Sequence, residues 1–328
     1  MRKNRPPYLA IIIVGLLALS WRVFGYWQMS QDVDRALGVG PAVAGSQAIR
    51  DAAPILPLYP TLADEAPKFA ARQYALYDVE SNTFIVESDS LTPVPLASTT
   101  KIMTTLLTIE RGGLSDIVQV PQQAAEQIGS TAGLRTNEQL TVRSLLYGAL
   151  LNSGNDAAYA LAGYLGQKIG GDESADWNEQ ITQTVELMNR RAKELNLPSL
   201  HYVEPSGLDS GNIGDARDLA KLASYALDKE DFRTITSTPT YTISDVTGTI
   251  THGLTNSNRL VGEWAYQGAI GVKTGFTPEA GHNLVGAAER DGHRLIAVVL
   301  NTFSDDVTAS ARVARDMLDY AWLHVRWE

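Results

Sequence analysis

The chain predicts an α+β domain: an antiparallel sheet flanked by helices, with an all-helical lobe inserted. Three observations predict it. Strand-like alternation stands at both ends of residues 68–328, helical periodicity dominates residues 98–230, and an Asp291-Gly292 tight turn separates the last two strand candidates.

The elements follow in order. Residues 73–79 and 83–87 alternate apolar and polar around a Glu80-Ser81-Asn82 turn, which predicts a hairpin. Pro93 and Pro95 then precede a run, residues 96–107, whose apolar residues recur at helical spacing. An apolar helix over 147–151 breaks at a polar Asn152-Ser153-Gly154 loop and resumes after Asn155. Residues 186–195 form an amphipathic helix ended by Pro198. Strands return at 269–277, 282–288 and 294–301, and a helix from about Asp305 to Leu323 closes the domain. Strands from both ends can thus pair into one sheet, and the cleft between sheet and lobe gathers the chain's polar motifs. The aromatic tail from Tyr320 to Glu328 is expected to pack on the domain.

Composition bounds the function. The chain has 328 residues, 44% hydrophobic and 20% charged, enough for one large core. A net charge of -10 makes nucleic acid an unsuitable partner. The absence of cysteine removes a disulfide framework, a thiolate nucleophile, a Cys-ligated zinc site and a lipoprotein anchor. His201, His252, His282, His293 and His324 show no metal-ligand spacing, so neither a metal nor a cofactor is assigned.

Arg2, Lys3 and Arg5 precede an apolar stretch, residues 8–21, as in an export signal. Bulky Trp21, Phe24 and Trp27 leave no small-x-small cleavage site just after Ser20. Residues 1–27 are therefore read as an uncleaved signal anchor, with a cleaved signal peptide as the alternative. Residues 28–67, rich in Ala, Gly and Pro, read as an extracytoplasmic spacer, and 68–328 as the catalytic domain.

Three short strings carry the chemistry. Ser98-Thr99-Thr100-Lys101 is S-x-x-K, Ser153-Gly154-Asn155 is S-x-N, and Lys273-Thr274-Gly275 is K-T-G. Each alone is a common turn or cap sequence. All three in order, each in a suitable local context, indicate a serine acyl-transfer site. A serine hydroxyl needs a base beside it. Positions i and i+3 share a helix face, so Lys101 can reach Ser98. Desolvation and neighbouring cations favour the neutral amine that such a base requires. Ser153 can relay a proton, and Asn155 can hold Lys101 and a substrate amide. On a cleft-lining strand, Lys273 offers charge, Thr274 a hydroxyl and Gly275 room for close approach.

With these strings, residues 94–104, 150–158 and 280–285 resemble the low-molecular-mass penicillin-binding proteins, the serine D-alanyl-D-alanine carboxypeptidases. Val203-Glu204-Pro205-Ser206-Gly207-Leu208 resembles the family's N-P-x-G-L segment, with Glu204 where Asn is usual. Ala216-Arg217-Asp218-Leu219-Ala220 resembles its A-R-D-L-A helix start. The resemblance implies the fold of penicillin-binding proteins and serine β-lactamases. It implies Ser98 as nucleophile, Lys101 as base, and Ser153 with Lys273 as proton relay. Backbone N–H groups of Ser98 and Phe276 would form the oxyanion hole, and Thr274 would bind the substrate carboxylate. The implied substrate is a peptidoglycan stem peptide ending in D-Ala-D-Ala, with β-lactams as acylating mimics and the membrane reached through the N-terminal segment. Many relatives carry a further C-terminal β domain; about fifty residues follow Lys273, so none is expected. Ser257 or Arg259 occupies the place of an auxiliary carboxylate-binding residue. His282 is expected near the cleft in a structural role. A β-lactamase is disfavoured, because Glu194-Leu195-Asn196 fails the E-x-x-L-N spacing of a deacylating glutamate. A transpeptidase or endopeptidase on the same scaffold stays open. A catalytically silent peptidoglycan-binding scaffold is disfavoured, since it predicts a damaged motif and all three are intact.

Overall fold

Alternating apolar residues in three long strands build the centre of the molecule. The computed structural model describes residues 60–62, 66–170 and 176–327. The membrane segment expected at 1–27, and most of the spacer expected at 28–67, lie outside the described residues. Three residues of that spacer stretch, Pro60–Leu62, form a strand (β1). They belong with the compact unit that runs from Leu58 to Glu328.

The expected hairpin is β2 (Gln73–Asp78) and β3 (Thr83–Ser88). A two-residue strand, β4 (Val94–Pro95), leads into a 3₁₀ turn over Ala97–Thr100 and helix α1 (Lys101–Arg111). The lobe continues through β5 (Ile117–Gln119), α2 (Gln122–Ala125), β6 (Gln139–Thr141), α3 (Val142–Leu150), α4 (Asn155–Gly170) and α5 (Trp177–Glu194). The chain returns through β7 (Ile213–Gly214), α6 (Ala216–Leu227) and α7 (Glu230–Thr236). A hairpin that the sequence did not announce follows, β8 (Thr240–Ser244) with β9 (Thr251–Thr255). Then come β10 (Ala269–Thr277), β11 (Gly281–Arg290), β12 (His293–Thr302), α8 (Ala309–His324) and β13 (Val325–Trp327).

The main sheet runs β10-β11-β12-β2-β3, with every neighbouring pair antiparallel. The strands from the two ends of the domain meet where β12 pairs with β2, Val298 opposite Ala75. This is the α+β arrangement expected. Period-two alternation divides the sheet between two cores. Ile296, Val298 and Leu300 face the helical lobe. Leu295, Ala297 and Val299 face α8, where Met317, Leu318 and Ala321 cover them.

Helix α1 is the hub of the lobe. Ile102, Met103, Leu106 and Leu107 are wholly buried, as expected of a helix enclosed on several sides. Polar neighbours bury as well by bonding back to the helix, Thr105 Oγ1 to the Lys101 carbonyl and Thr108 Oγ1 to that of Thr104. The motif around Ala216 is a clamp. Asp215 caps α6 by accepting from the Asp218 N–H, and Arg217 pairs with Glu87 on β3 while covering the Phe84 ring.

The last helix begins at Ala309 rather than near Asp305. The Asp306 carboxylate accepts from the N–H and hydroxyl of Thr308, which holds residues 306–308 in a turn. The aromatic tail packs on the domain as expected: β13 pairs with β1, and Trp327 stacks on His293 at 4.5 Å while donating to Asp78.

Met317 is fully buried between α8 and the sheet. Met317→Ala should destabilise the domain by about 2–4 kcal/mol in urea unfolding, with no change of fold.

Candidate active site

The site is assembled where the N-terminal end of α1 meets the edge strand β10. The 3₁₀ turn places Ser98 at the mouth of the cleft and Lys101 one turn inside it. Ala97 holds φ +47, a left-handed conformation uncommon outside glycine, and Ser153 in the second motif holds φ +59. Such local strain persists only where surrounding contacts over-determine it. Here they do. Thr99 Oγ1 donates to the Leu96 carbonyl, Leu96 N–H donates to the Asn212 carbonyl, and Asn283 Nδ2 donates to the carbonyls of Pro95 and Leu96.

Lys101 has no solvent exposure. Its Nζ lies 3.0 Å from Ser98 Oγ, 2.7 Å from Asn155 Oδ1 and 2.7 Å from the Ser206 carbonyl oxygen. The last two can only accept. The amide orientation of Asn155 is fixed independently, because its Nδ2 donates to the Ile128 carbonyl at 2.6 Å. A neutral amine has two hydrogens and one lone pair. With the hydrogens directed to Asn155 and Ser206, the lone pair faces Ser98. Burial pushes the Lys101 pKa down to about 7, against the opposing pull of the Glu204 and Asp156 carboxylates.

Lys273, on β10, is 1% exposed. Its Nζ donates to the Thr274 carbonyl at 3.0 Å. Burial, and then the charge of Lys101, hold its pKa well below the usual lysine range. Both amines are buried, and the charge of Lys101 makes Lys273 harder to protonate.

The second motif stands on the loop between α3 and α4, and Asp156 braces it. The Asp156 carboxylate accepts the N–H groups of Ala132, Gly133 and Leu134, which draws the 130–134 loop over the start of α4. Asn155 N–H donates to the Ser130 carbonyl in the same loop. Ser153 is buried, yet its side chain lines the cleft with Ser98 and Thr274.

The third motif lies against Ser98. A Cβ at Gly275 would meet the Ser98 nitrogen at 2.9 Å and the Ala97 side chain at 3.1 Å. Only glycine lets β10 pass this close, so the backbone on either side of Gly275 flanks Ser98. Phe276 projects outward, 58% exposed, and stacks on His282 at 4.5 Å. His282 therefore shapes the cleft wall. Thr274 Oγ1 lies 2.8 Å from Ser257 Oγ. Of the two auxiliary candidates, Ser257 joins Thr274, whereas Arg259 pairs with Glu263 and reaches the cleft at its rim.

The cleft encloses about 590 Å³. Ser98, Lys101, Ser153, Asn155, Lys273, Thr274, Gly275 and Phe276 all lie in it or directly behind its wall. Sequence reasoning missed the Ser206 carbonyl, Asp156 and Asn283. The strings Asn155-Asp156 and His282-Asn283-Leu284 held the last two in plain view, but short polar residues beside a motif look like ordinary loop residues.

The comparisons with known proteins fit this geometry. Residues 61–304 match the peptidase S11 family, described as D-alanyl-D-alanine carboxypeptidase. The chain belongs to that family. A D-alanyl-D-alanine carboxypeptidase of a Streptomyces strain is 36% identical over 240 residues, 69% of this chain and 78% of the relative. One of Bacillus subtilis is 33% identical over 258 residues, 77% of this chain and 62% of the relative. The crystal structure of a Streptomyces DD-transpeptidase superposes with a TM-score of 0.73 at 32% identity, covering 79% of this chain and 100% of that one. The chain is thus a serine-type peptidase of the D-alanyl-D-alanine carboxypeptidase family, with the penicillin-binding fold expected of it.

Two outcomes follow. Gly275→Ala should slow acylation by a β-lactam at least about tenfold, because the added methyl displaces Ser98 from β10. Stopped-flow acylation with a reporter cephalosporin would measure it. The same assay across pH should show the rate rising through about pH 7 and falling roughly tenfold per unit below it, as Lys101 takes up a proton.

Proposed function

We propose that this protein removes the terminal D-alanine from peptidoglycan stem peptides ending in D-Ala-D-Ala, through an acyl-enzyme on Ser98. The observation that carries the reading is the hydrogen-bond set of Lys101, which leaves its lone pair facing Ser98 Oγ at 3.0 Å. Ser98 Oγ attacks the carbonyl carbon of the scissile bond while its proton passes to Lys101 Nζ. The carbonyl oxygen, now negative, is received by the N–H groups of Ser98 and Phe276. Ser153, with Lys273 behind it, delivers a proton to the departing D-alanine nitrogen as the C–N bond breaks. Water then attacks the ester, and the shortened peptide leaves.

The substrate's free carboxylate meets the hydroxyls of Thr274 and Ser257, while Lys273, whose burial favours the neutral amine, serves the proton relay rather than supplying the charge expected of it. Both hydroxyls can turn their hydrogens toward an anion, which a fixed donor pair could not do as freely. Asn155, expected to hold both Lys101 and a substrate amide, is engaged by Lys101 and the Ile128 carbonyl and so serves the base. A β-lactam enters by the same carboxylate and remains as a slowly released acyl group. Transfer to a second peptide instead of water would use the same first half-reaction. The DD-transpeptidase name of the superposed Streptomyces structure supports keeping that outcome in the assay.

Residues 1–27 would hold the enzyme on the outer face of the cell membrane, with 28–67 largely as the spacer, or release it to the wall if cleaved. Among the described residues no helix is long and apolar enough to cross a membrane.

Intact-mass analysis with and without penicillin should give one stoichiometric adduct on the parent and none on Ser98→Ala. D-alanine release from a D-Ala-D-Ala peptide should accompany it, and be lost in the same variant. A folded parent that forms no adduct and consumes no β-lactam would overturn the reading.

A further inference from the structure

The roles above leave one buried carboxylate beside Lys101 without a function. Glu204 sits in the turn before β7, 9% exposed. Its Oε2 accepts from the Ser206 N–H at 2.7 Å and the Ser206 hydroxyl at 2.6 Å. Its Oε1 accepts from the Gly207 N–H, and from Asn212 Nδ2 at 2.5 Å. All four partners are donors, so both oxygens act as acceptors throughout. The carboxylate therefore closes residues 204–207 into a turn on itself.

That turn is pressed against the reaction centre. Its Ser206 carbonyl is one of the two acceptors that orient Lys101 Nζ. Gly207 holds φ +90, and a Cβ there would lie 1.8 Å from the Ala97 carbonyl oxygen and 2.8 Å from the Ser98 nitrogen. The turn is held from outside as well. Thr104 Oγ1 donates to the Pro205 carbonyl at 2.7 Å, and Asn212, which binds the Glu204 carboxylate, accepts the Leu96 N–H at 2.8 Å. Glu204 thus ties Ser98 and Lys101 to one another through the backbone of its own turn.

Its charge acts on Lys101 too. The charged groups facing that amine are Glu204 from this turn, Asp156 from α4 and Lys273 from β10. Tyr159 on α4 faces Glu204 from the other side, and burial with that carboxylate keeps its hydroxyl neutral. Burial alone would strip the Lys101 proton at still lower pH. Glu204 and Asp156 pull in the opposite direction.

We propose that Glu204 is a positioning residue for the general base: its carboxylate closes the turn whose Ser206 carbonyl aims Lys101 at Ser98, and holds a negative charge beside that amine. The proposal rests on the reading of Lys101 as base, and goes beyond it by giving a task to the residue at which this chain departs from the asparagine usual in the family.

The experiment is the pH profile of penicillin acylation on the full chain, for the parent, Glu204→Gln, Glu204→Asn and Glu204→Asp. Removing the charge removes an upward pull on Lys101, so the acid limb should move to lower pH by about one unit in the Gln and Asn variants. The plateau should fall about tenfold or more in both, as the Ser206 turn loosens. Glu204→Asp keeps the charge and should keep the parental midpoint, with only the plateau lowered. A merely structural glutamate would change the plateau and leave every midpoint alone; that result, or an aspartate variant that shifts as far as the glutamine one, would overturn the proposal. Glu204→Asn carries the family's usual residue and guards against a Gln variant that does not fold. If the parent itself takes up no penicillin, the functional reading fails, and the Lys101 ε-carbon resonance in an NMR titration of the same four proteins still reads the midpoint shift.

Discussion

The structure depends on keeping one amine dry. Lys101 is reached by no solvent, and its three polar neighbours are a hydroxyl and two groups that only accept hydrogen bonds. Lowering a lysine from its usual 10.5 to about 7 corresponds to a differential on the order of 5 kcal/mol between its charged and neutral forms. That cost is imposed by the surroundings, so the surroundings must be rigid. Helix α1 is buried along nearly its whole length, and the Asn155 amide, the Asp156 brace and the Glu204 turn each fix one side of the pocket. Lys273 extends the constraint. Two buried amines close enough to repel make double protonation costly.

The same constraint explains how the fold is divided. The sheet provides β10, an edge strand that can approach Ser98 only because residue 275 is glycine. The lobe provides α1 and the α3–α4 loop, elements that bring side chains rather than backbone. Ser98, between a strand edge and a helix end, thus has backbone on one side and titratable groups on the other. Ser257 and Thr274 pair their hydroxyls at the cleft, and the exposed Phe276 ring stacks on His282 in its wall.

Much of this was legible in the sequence. The hairpin around Ser81, the meander through Asp291-Gly292 and the buried helix after Ser98 are all written in apolar periodicity, and the three motifs mark the side chains that the fold brings to one cleft. What could not be read has physical reasons. The Ser206 acceptor is a backbone carbonyl, and every residue type carries one. Asp156 and Asn283 work by binding backbone groups remote in sequence, at 132–134 and at 95–96, so no local pattern announces them. The β8–β9 hairpin is short and mostly exposed, which leaves little alternation to detect. The last helix starts later than its periodicity suggests because the Asp306 carboxylate accepts the Thr308 N–H. Glu204 stands in a short Glu-Pro-Ser-Gly string, and its contacts appear only once the turn is folded against Ala97.

The central claim is that Lys101 is a neutral amine aimed at Ser98. Neutron diffraction from deuterated crystals, held at a pD above the Lys101 midpoint, tests it most directly. The account predicts two deuterons on Nζ, one directed to Asn155 Oδ1 and one to the Ser206 carbonyl, with the Ser98 deuteron pointing toward Nζ. Three deuterons on Nζ, one of them directed at Ser98 Oγ, would contradict it.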